Sequence, residues 1–431
     1  RAMGAALTYL PEPLTSKDTL DGEIIGRARF GACGMQGWRR RMEDAHMVVP
    51  DLDGTSRISL FGVFDGHGGR GVSRFAAKHL PELLKSQEQA LAEGRYGEAL
   101  REAFFAVDAK LRTDSGRNEV KKLDAKTKDD PPSQRIPMKV PKRALARMQN
   151  QEDDDSEQQD AENSAREGND STGDGAAASP SKDAEEKPEE LRVREANEDE
   201  ALAEGADEGE DDEDFDFTEN NENEEETALV HIDPDSVLAD ATPEAQGCTA
   251  VVALVDWSGV VGEGAAGARV VIANAGDSRC ILSVRRHASE ESSSSTSTAE
   301  AVALSEDHKP ELDSEKSRIE AAGGYVKDMP GGARVQGDLN LSRAMGDLRY
   351  KTREDLPPKA QIVTADPEIR ERVLTADDNL LVLGCDGIWE RNENQALAEK
   401  LTARLQAASS KGQEMALSAL GGEVCDWTLC T

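Results

Sequence analysis

Apolar positions along this chain follow two periods and leave one long stretch almost empty. Ile58, Leu60, Gly62 and Phe64 alternate with their neighbours in a run that ends at Asp65-Gly66. The alternation predicts a strand, and the Asp-Gly predicts a sharp turn at its mouth. Residues 380–383 form a second apolar run, leading into Cys385-Asp386-Gly387. Residues 251–255 and 270–275 predict two more strands, joined by a hairpin or a longer loop. Between the strands the period lengthens. Val72, Phe75, Ala76, His79 and Leu80 have helical spacing, as do Leu100, Phe104, Val107 and Leu111. Residues 393–408 predict a helix carrying Leu397, Leu401 and Leu405. Residues 317–322 predict a helix stopped by Gly323-Gly324. The Ser-rich residues 289–298 predict a loop.

Charge explains the empty stretch. Residues 151–230 hold 33 acidic and 5 basic side chains, a net of −28 out of −35 for all 431 residues. With almost nothing apolar to bury, this segment predicts a disordered acidic insertion rather than a domain. The flank before it, residues 121–148, sets nine Lys and Arg against three Asp. It fits a nuclear import signal, a surface for the acidic stretch, or a solvated linker. The expected organisation is an N-terminal tail over 1–22, globular sequence over 23–113, linker and insertion over 114–227, and globular sequence again over 228–431. Acidic motifs are split between the two globular parts. One interrupted α/β domain therefore fits better than two domains.

Six cysteines, at 33, 248, 280, 385, 425 and 430, show no paired zinc spacing and predict free thiols in a reducing compartment. No apolar run approaches a membrane span. Residues 3–8 fit an N-myristoylation pattern if Met3 is the first residue. The expected location is cytoplasmic or nuclear, with membrane association only if Gly4 is acylated.

The candidate chemistry lies in three acidic stretches: Trp38-Arg39-Arg40-Arg41-Met42-Glu43-Asp44-Ala45-His46, Phe64-Asp65-Gly66-His67-Gly68-Gly69, and Gly384-Cys385-Asp386-Gly387-Ile388-Trp389-Glu390. Carboxylates gathered at strand ends make an oxygen-rich site for hard divalent cations, Mg²⁺ or Mn²⁺. Each residue also has a plain reading. Asp-Gly is a common turn dipeptide, a triple Arg is usually solvated, and His46 reads as structural.

Seven motifs in order resemble the metal-dependent serine/threonine phosphatases of the protein phosphatase 2C family. They are residues 37–46, 63–69, 247–250, 273–279, 307–310, 341–347 and 385–389. The resemblance implies an αββα sandwich, two antiparallel sheets flanked by helices, with a metal site at one end. It implies that Asp65 bridges two metals, that Glu43 binds one and Asp386 the other, and that the Gly66 carbonyl adds a ligand. Asp44 would hold a metal-bound water and Arg39 the substrate phosphate. Asp277 and Glu390 match positions tied to a third, weaker ion; Glu390 departs from the more usual Asp. His67, beside Asp65, would protonate the leaving Ser or Thr alkoxide.

The family ends in an Asp-Asn pair that nothing here matches. Asp426 is followed by Trp427, so the ligand role is not transferred to it. The expected partners are phosphoprotein substrates, and basic proteins such as histones drawn to the acidic insertion. A nucleic-acid substrate is disfavoured by the net charge, and a monomer is expected. The alternative is a catalytically impaired phosphatase-like protein that binds basic partners through its insertion.

Overall fold

Strand parity decides which core each side chain enters. The strand Ala250–Asp256 is buried along its whole length. Its Val252 and Leu254 join Val271 and Ala273 in one core, while Val251, Ala253 and Val255 join Val270 and Ile272 in another. Successive side chains leave a strand on opposite faces, so a strand buried on both faces lies between two layers. The computed structural model describes residues 9–125, 136–141, 227–232, 242–286 and 298–430.

That strand is central in a five-stranded antiparallel sheet, ordered Glu368–Val373, Arg269–Ala275, Ala250–Asp256, Ile58–Phe64, Ala45–Val49. One face packs under helices Gly71–Lys85 and Tyr96–Leu111 through Phe75, Leu80, Leu100 and Phe104. The other face meets a second antiparallel sheet, ordered Thr298–Ala303, Arg279–Arg286, Asp378–Gly384, through Cys280, Leu282, Leu381 and Leu383. Parity works there too. Ile281, Leu380 and Val382 face outward onto Leu397, Leu401, Leu420 and Val424 of helices Asn394–Ser410 and Leu417–Cys430. The layers run helix, sheet, sheet, helix, which is the αββα sandwich expected.

Three expectations need correction. Residues up to 22 were expected to form a tail, but Tyr9–Ile24 is a strand paired with Ala28–Arg39. It lies at the edge of a two-stranded ladder, and Lys17, Asp18 and Asp21 break the apolar alternation that would betray it. The linker was expected from 114, but Asp114–Asp124 is a helix. The Thr113 hydroxyl caps it, accepting from the Gly116 N–H at 3.0 Å. Val120 packs into the first core, and Glu119 pairs with Lys78 at 2.5 Å and His79 at 2.9 Å. The helix expected over 317–322 spans Asp313–Ala321, with Asp313 and Glu315 in its first turn, where carboxylates suit the helix dipole.

The acidic insertion and most of the basic flank lie outside the described residues. Within them, Ile136–Pro141 and Thr227–Ile232 form an antiparallel pair of their own. The Ser-rich loop lies outside as well, except for Thr298, which opens a strand.

Candidate active site

Two-residue ladders build the centre of the site. The strand Ile58–Phe64 ends at Asp65, whose carbonyl accepts the Thr249 N–H at 2.9 Å. Gly66–His67 then pairs with Gly247–Cys248, which pairs on its other side with Met345–Gly346. His67, Gly247 and Gly346 stand abreast, and Asp347 follows at once. The His67 Nε2 lies 2.7 Å from Asp347 Oδ2, across 280 residues of sequence. Gly247 is the floor under this pair. A Cβ there would overlap the Asp347 carboxylate and stand 2.6 Å from His67 Nε2. Asp347 is fully buried, its Oδ1 has no hydrogen-bond partner, and its backbone is left-handed at φ 50°. Such strain, on the order of 1 kcal/mol for a non-glycine residue, persists where surrounding contacts over-determine it. Burial works against charging the imidazole, but the Asp347 carboxylate outweighs it and raises the His67 pKa.

Carboxylates from three parts of the chain converge beside this pair. Glu43 and Asp44 precede the strand Ala45–Val49. Gly66 lies against the Glu43 backbone, and the Ser73 hydroxyl donates to the Glu43 carbonyl. Asp386 opens the single helical turn Asp386–Trp389, directly after the strand Asp378–Gly384. Burial, then repulsion from Asp44 and Asp386, holds the Asp65 pKa well above the carboxylate range. Asp44 is raised by burial and by Asp386, against relief from the Cys385 thiol, an Asp65 hydrogen bond and the Arg39 charge. Burial also raises Glu43, opposed by Arg41 and His67. Asp277 sits in the turn between strands Arg269–Ala275 and Arg279–Arg286, where the chain crosses between sheets. It is ion-paired with Lys309, yet burial still raises it.

Arg39, Glu43, Asp44, Asp65, Gly66, His67, Asp277 and Asp386 are therefore brought together. Glu390 stands apart. It is exposed just after the single helical turn, its N–H on the Asp386 carbonyl at 2.8 Å. The charges that shift Asp277 most are Lys309, Asp386 and Asp307, not Glu390.

Among the described residues, no three His, Cys, Asp or Glu side chains stand in a ready coordination shell. The carboxylates are turned onto one another and onto Cys385 and Lys309. Asp44 and Asp386 stand close enough to Asp65 for like-charge repulsion to raise it. Buried carboxylates gathered beside the Gly66 backbone have the oxygen-donor chemistry of a hard divalent cation site. The residues present fit that group.

A family model described as "Protein phosphatase 2C" matches residues 28–127 and 145–420. The chain belongs to the protein phosphatase 2C family. The phosphatase is 33% identical over 427 residues to "Probable protein phosphatase 2C 11" of Oryza sativa subsp. japonica, covering 97% of this chain and 88% of that protein. It is 32% identical over 400 residues to "Probable protein phosphatase 2C 21" of Arabidopsis thaliana, covering 93% and 82%. It is 30% identical over 515 residues to "Protein phosphatase 1G" of Rattus norvegicus, covering 99% and 89%. Its reaction class is protein dephosphorylation at serine and threonine. Among the described residues, no helix is long and apolar enough to cross a membrane.

Two residues of the phosphatase site had no role in the sequence reading. Asp347 closes a motif, but its pairing with His67 depends on the ladder through Gly247. Lys309 follows His308 in another motif, and nothing local indicates that its ammonium reaches Asp277.

Proposed function

We propose that this phosphatase hydrolyses phosphoserine and phosphothreonine in proteins at a binuclear Mg²⁺ or Mn²⁺ site. The observation that carries the reading is the convergence of Asp44, Asp65 and Asp386, from distant parts of the chain, beside Arg39 and His67. Asp65, Glu43, Asp386 and the Gly66 carbonyl would hold the ions. When bound, they would neutralise the phosphate dianion and supply hydroxide at neutral pH.

The chain's own residues account for the rest. Arg39 presents a planar fork of donors to phosphate oxygens. Asp44 accepts a hydrogen bond from the attacking water and orients it. His67, whose pKa Asp347 raises, carries a proton to the leaving oxygen, which is a poor leaving group without one. Asp347 acts through His67 as a positioning residue. A third ion at Asp277 and Glu390 is a separate reading, because an ion there competes with the Lys309 ammonium.

The test is hydrolysis of a phosphopeptide with Mn²⁺, with Mg²⁺ and after chelation by EDTA. Full activity after exhaustive chelation would reject the metal mechanism. The acidic residues 151–230 remain a proposed site for basic protein partners, on the strength of their net charge. That binding should fall steeply between low and physiological salt in a pull-down with histone-like baits.

A further inference from the structure

The helix Leu417–Cys430 lies along the strand Ala28–Arg39, and small residues bring the two backbones close. A Cβ on Gly31 would collide with the backbone at Leu417 and Ser418. A Cβ on Gly421 would stand 3.1 Å from the Cys33 Cβ, and one on Gly37 would stand 3.4 Å from Leu429 Cδ2. The contacts advance in step, from residue 31 with 418, to 33 with 421, to 37 with 429. One helical turn after Gly421 comes Cys425, whose thiol is in hydrogen-bonding contact with that of Cys33. A disulfide needs two neighbouring cysteines joined without large backbone movement, and a tight strand–helix seam supplies that setting.

We propose that Cys33 and Cys425 form an oxidation site at which a hydroperoxide converts two thiols into a disulfide joining this helix to this strand. The two sulfurs are not equivalent. Cys33 is half-buried, and contact with Cys425 together with the nearby Lys17 ammonium lowers its pKa. Cys425 is buried, and contact with Cys33 and then burial push its thiol up. Lys17 is held in place by its ion pair with Asp426, the residue after Cys425, at 2.6 Å. Cys33, the more exposed of the two and the one beside the Lys17 ammonium, is therefore the attacking sulfur and Cys425 the resolving one.

In the first step the Cys33 thiolate attacks a peroxide oxygen. An S–O bond forms and the O–O bond breaks. Hydroxide leaves and takes up a proton as water, and Cys33 becomes a sulfenic acid. In the second step the Cys425 sulfur displaces that oxygen. An S–S bond forms, the S–O bond breaks, and the departing hydroxide takes the thiol proton as a second water. Two thiols are oxidised by two electrons and one peroxide is reduced to two waters.

Other cysteines provide an internal control. Cys248 and Cys280 are fully buried with thiols pushed up, so neither is placed to react. The strand that carries Cys33 ends at Arg39, so a staple here would tie the phosphate-binding arginine's strand to the outer helix.

The experiment treats the full chain with a few equivalents of hydrogen peroxide, blocks free thiols with N-ethylmaleimide and maps peptides by mass. The expected result is a Cys33–Cys425 linked peptide that disappears on adding dithiothreitol, with Cys248 and Cys280 still alkylated after unfolding. The melting temperature should rise by a few degrees on oxidation and fall back on reduction. Cys425→Ser should leave Cys33 trapped as a dimedone-reactive sulfenic acid, and Cys33→Ser should abolish both products. Separate alkylation of both thiols after peroxide treatment, or a link from either one to Cys430, would overturn the proposal. Mapping the unsubstituted chain decides the matter even if a variant fails to fold.

Discussion

The two sides of the sandwich are built to different standards, and the site takes residues from both. On the five-stranded side, Phe64, Phe75, Tyr96 and Phe104 are all buried to 1% exposure or less. The strand Ala250–Asp256 has no exposed residue. On the three-stranded side, Asp378–Gly384 is half-buried except at Gly384, and it has one neighbouring strand among the described residues. Its helices pack through Leu397, Leu401, Leu420 and Val424, and polar contacts tie this side further. Arg404 Nε pairs with Glu423 at 2.6 Å, Arg29 with Glu414 at 2.5 Å, and the Ser418 N–H with Asp21 at 2.9 Å. Asp65, His67 and Asp347 stand on the tightly packed side. Asp386 is delivered by the looser one. The His67–Asp347 pair is thus held on the tightly packed side, whereas the second half of the carboxylate cluster depends on a less deeply seated strand.

The sharpest way to break this comparison is to remove one carboxylate from each side. Asp65→Asn and Asp386→Asn should each drop phosphopeptide hydrolysis to background in Mn²⁺, because the proposed ions need both. If Asp386→Asn kept full turnover while Asp65→Asn lost it, the looser side would have no part in the site. Circular dichroism of both variants would show that folding is retained.

The next test stays on the tight side. His67→Gln should slow phosphoserine-peptide hydrolysis by about 10²–10⁴-fold and p-nitrophenyl phosphate hydrolysis far less, since nitrophenolate leaves without a proton. Asp347→Asn should show the same split between substrates at a smaller size. Equal losses on both substrates would make the pair structural.

Packing can be compared directly. Phe104→Ala should destabilise the fold by about 3–5 kcal/mol, and Leu420→Ala by about 2 kcal/mol, near the low end for a leucine because its surroundings can relax. Urea unfolding measures both. Equal losses would dissolve the contrast between the two sides.

The corner that joins the sheets supplies a pH test of similar or smaller size. His308 is buried, its backbone N–H donates to the Gly276 carbonyl at 3.0 Å, and burial with the Arg343 charge depresses its pKa to about 4. In the unfolded chain it titrates near 6.5. Its contribution is present in full above pH 6.5 and is lost as pH falls from there through 4, on the order of 3 kcal/mol. His308→Asn should flatten that part of the stability–pH curve. An unchanged slope would place the acid sensitivity elsewhere.

Much of this was legible along the chain. The strand Ile58–Phe64, the helices Gly71–Lys85 and Tyr96–Leu111, and the strand behind Asp386 follow from their apolar patterns, the helices each burying one face and the strands packing on both. The edge strand Tyr9–Ile24 was not legible, since backbone pairing rather than apolar alternation holds it in place. The helix Asp114–Asp124 was hidden by a charged composition whose ion pairs, to Lys78, His79 and Glu244, form only in the folded chain. Of the site residues, the family motifs mark Arg39, Glu43, Asp44, Asp65, Gly66, His67, Asp277 and Asp386, and the structure gathers them. Glu390, marked in the same way, stays at the surface.

The sequence by itself determined most of the strands and helices, through the period of its apolar residues, and the kind of chemistry, through the oxygen-rich character of its motifs. Local spacing is enough for both, since each depends on neighbours within a few residues. Only the tertiary structure decided which charges meet. The pairing of His67 with Asp347, of Asp277 with Lys309 and of Cys33 with Cys425 spans 280, 32 and 392 residues respectively. Each was selected by strand register, by the missing side chain of Gly247, or by the close seam of one helix on one strand. Those are distances between folded surfaces, and residue order does not contain them.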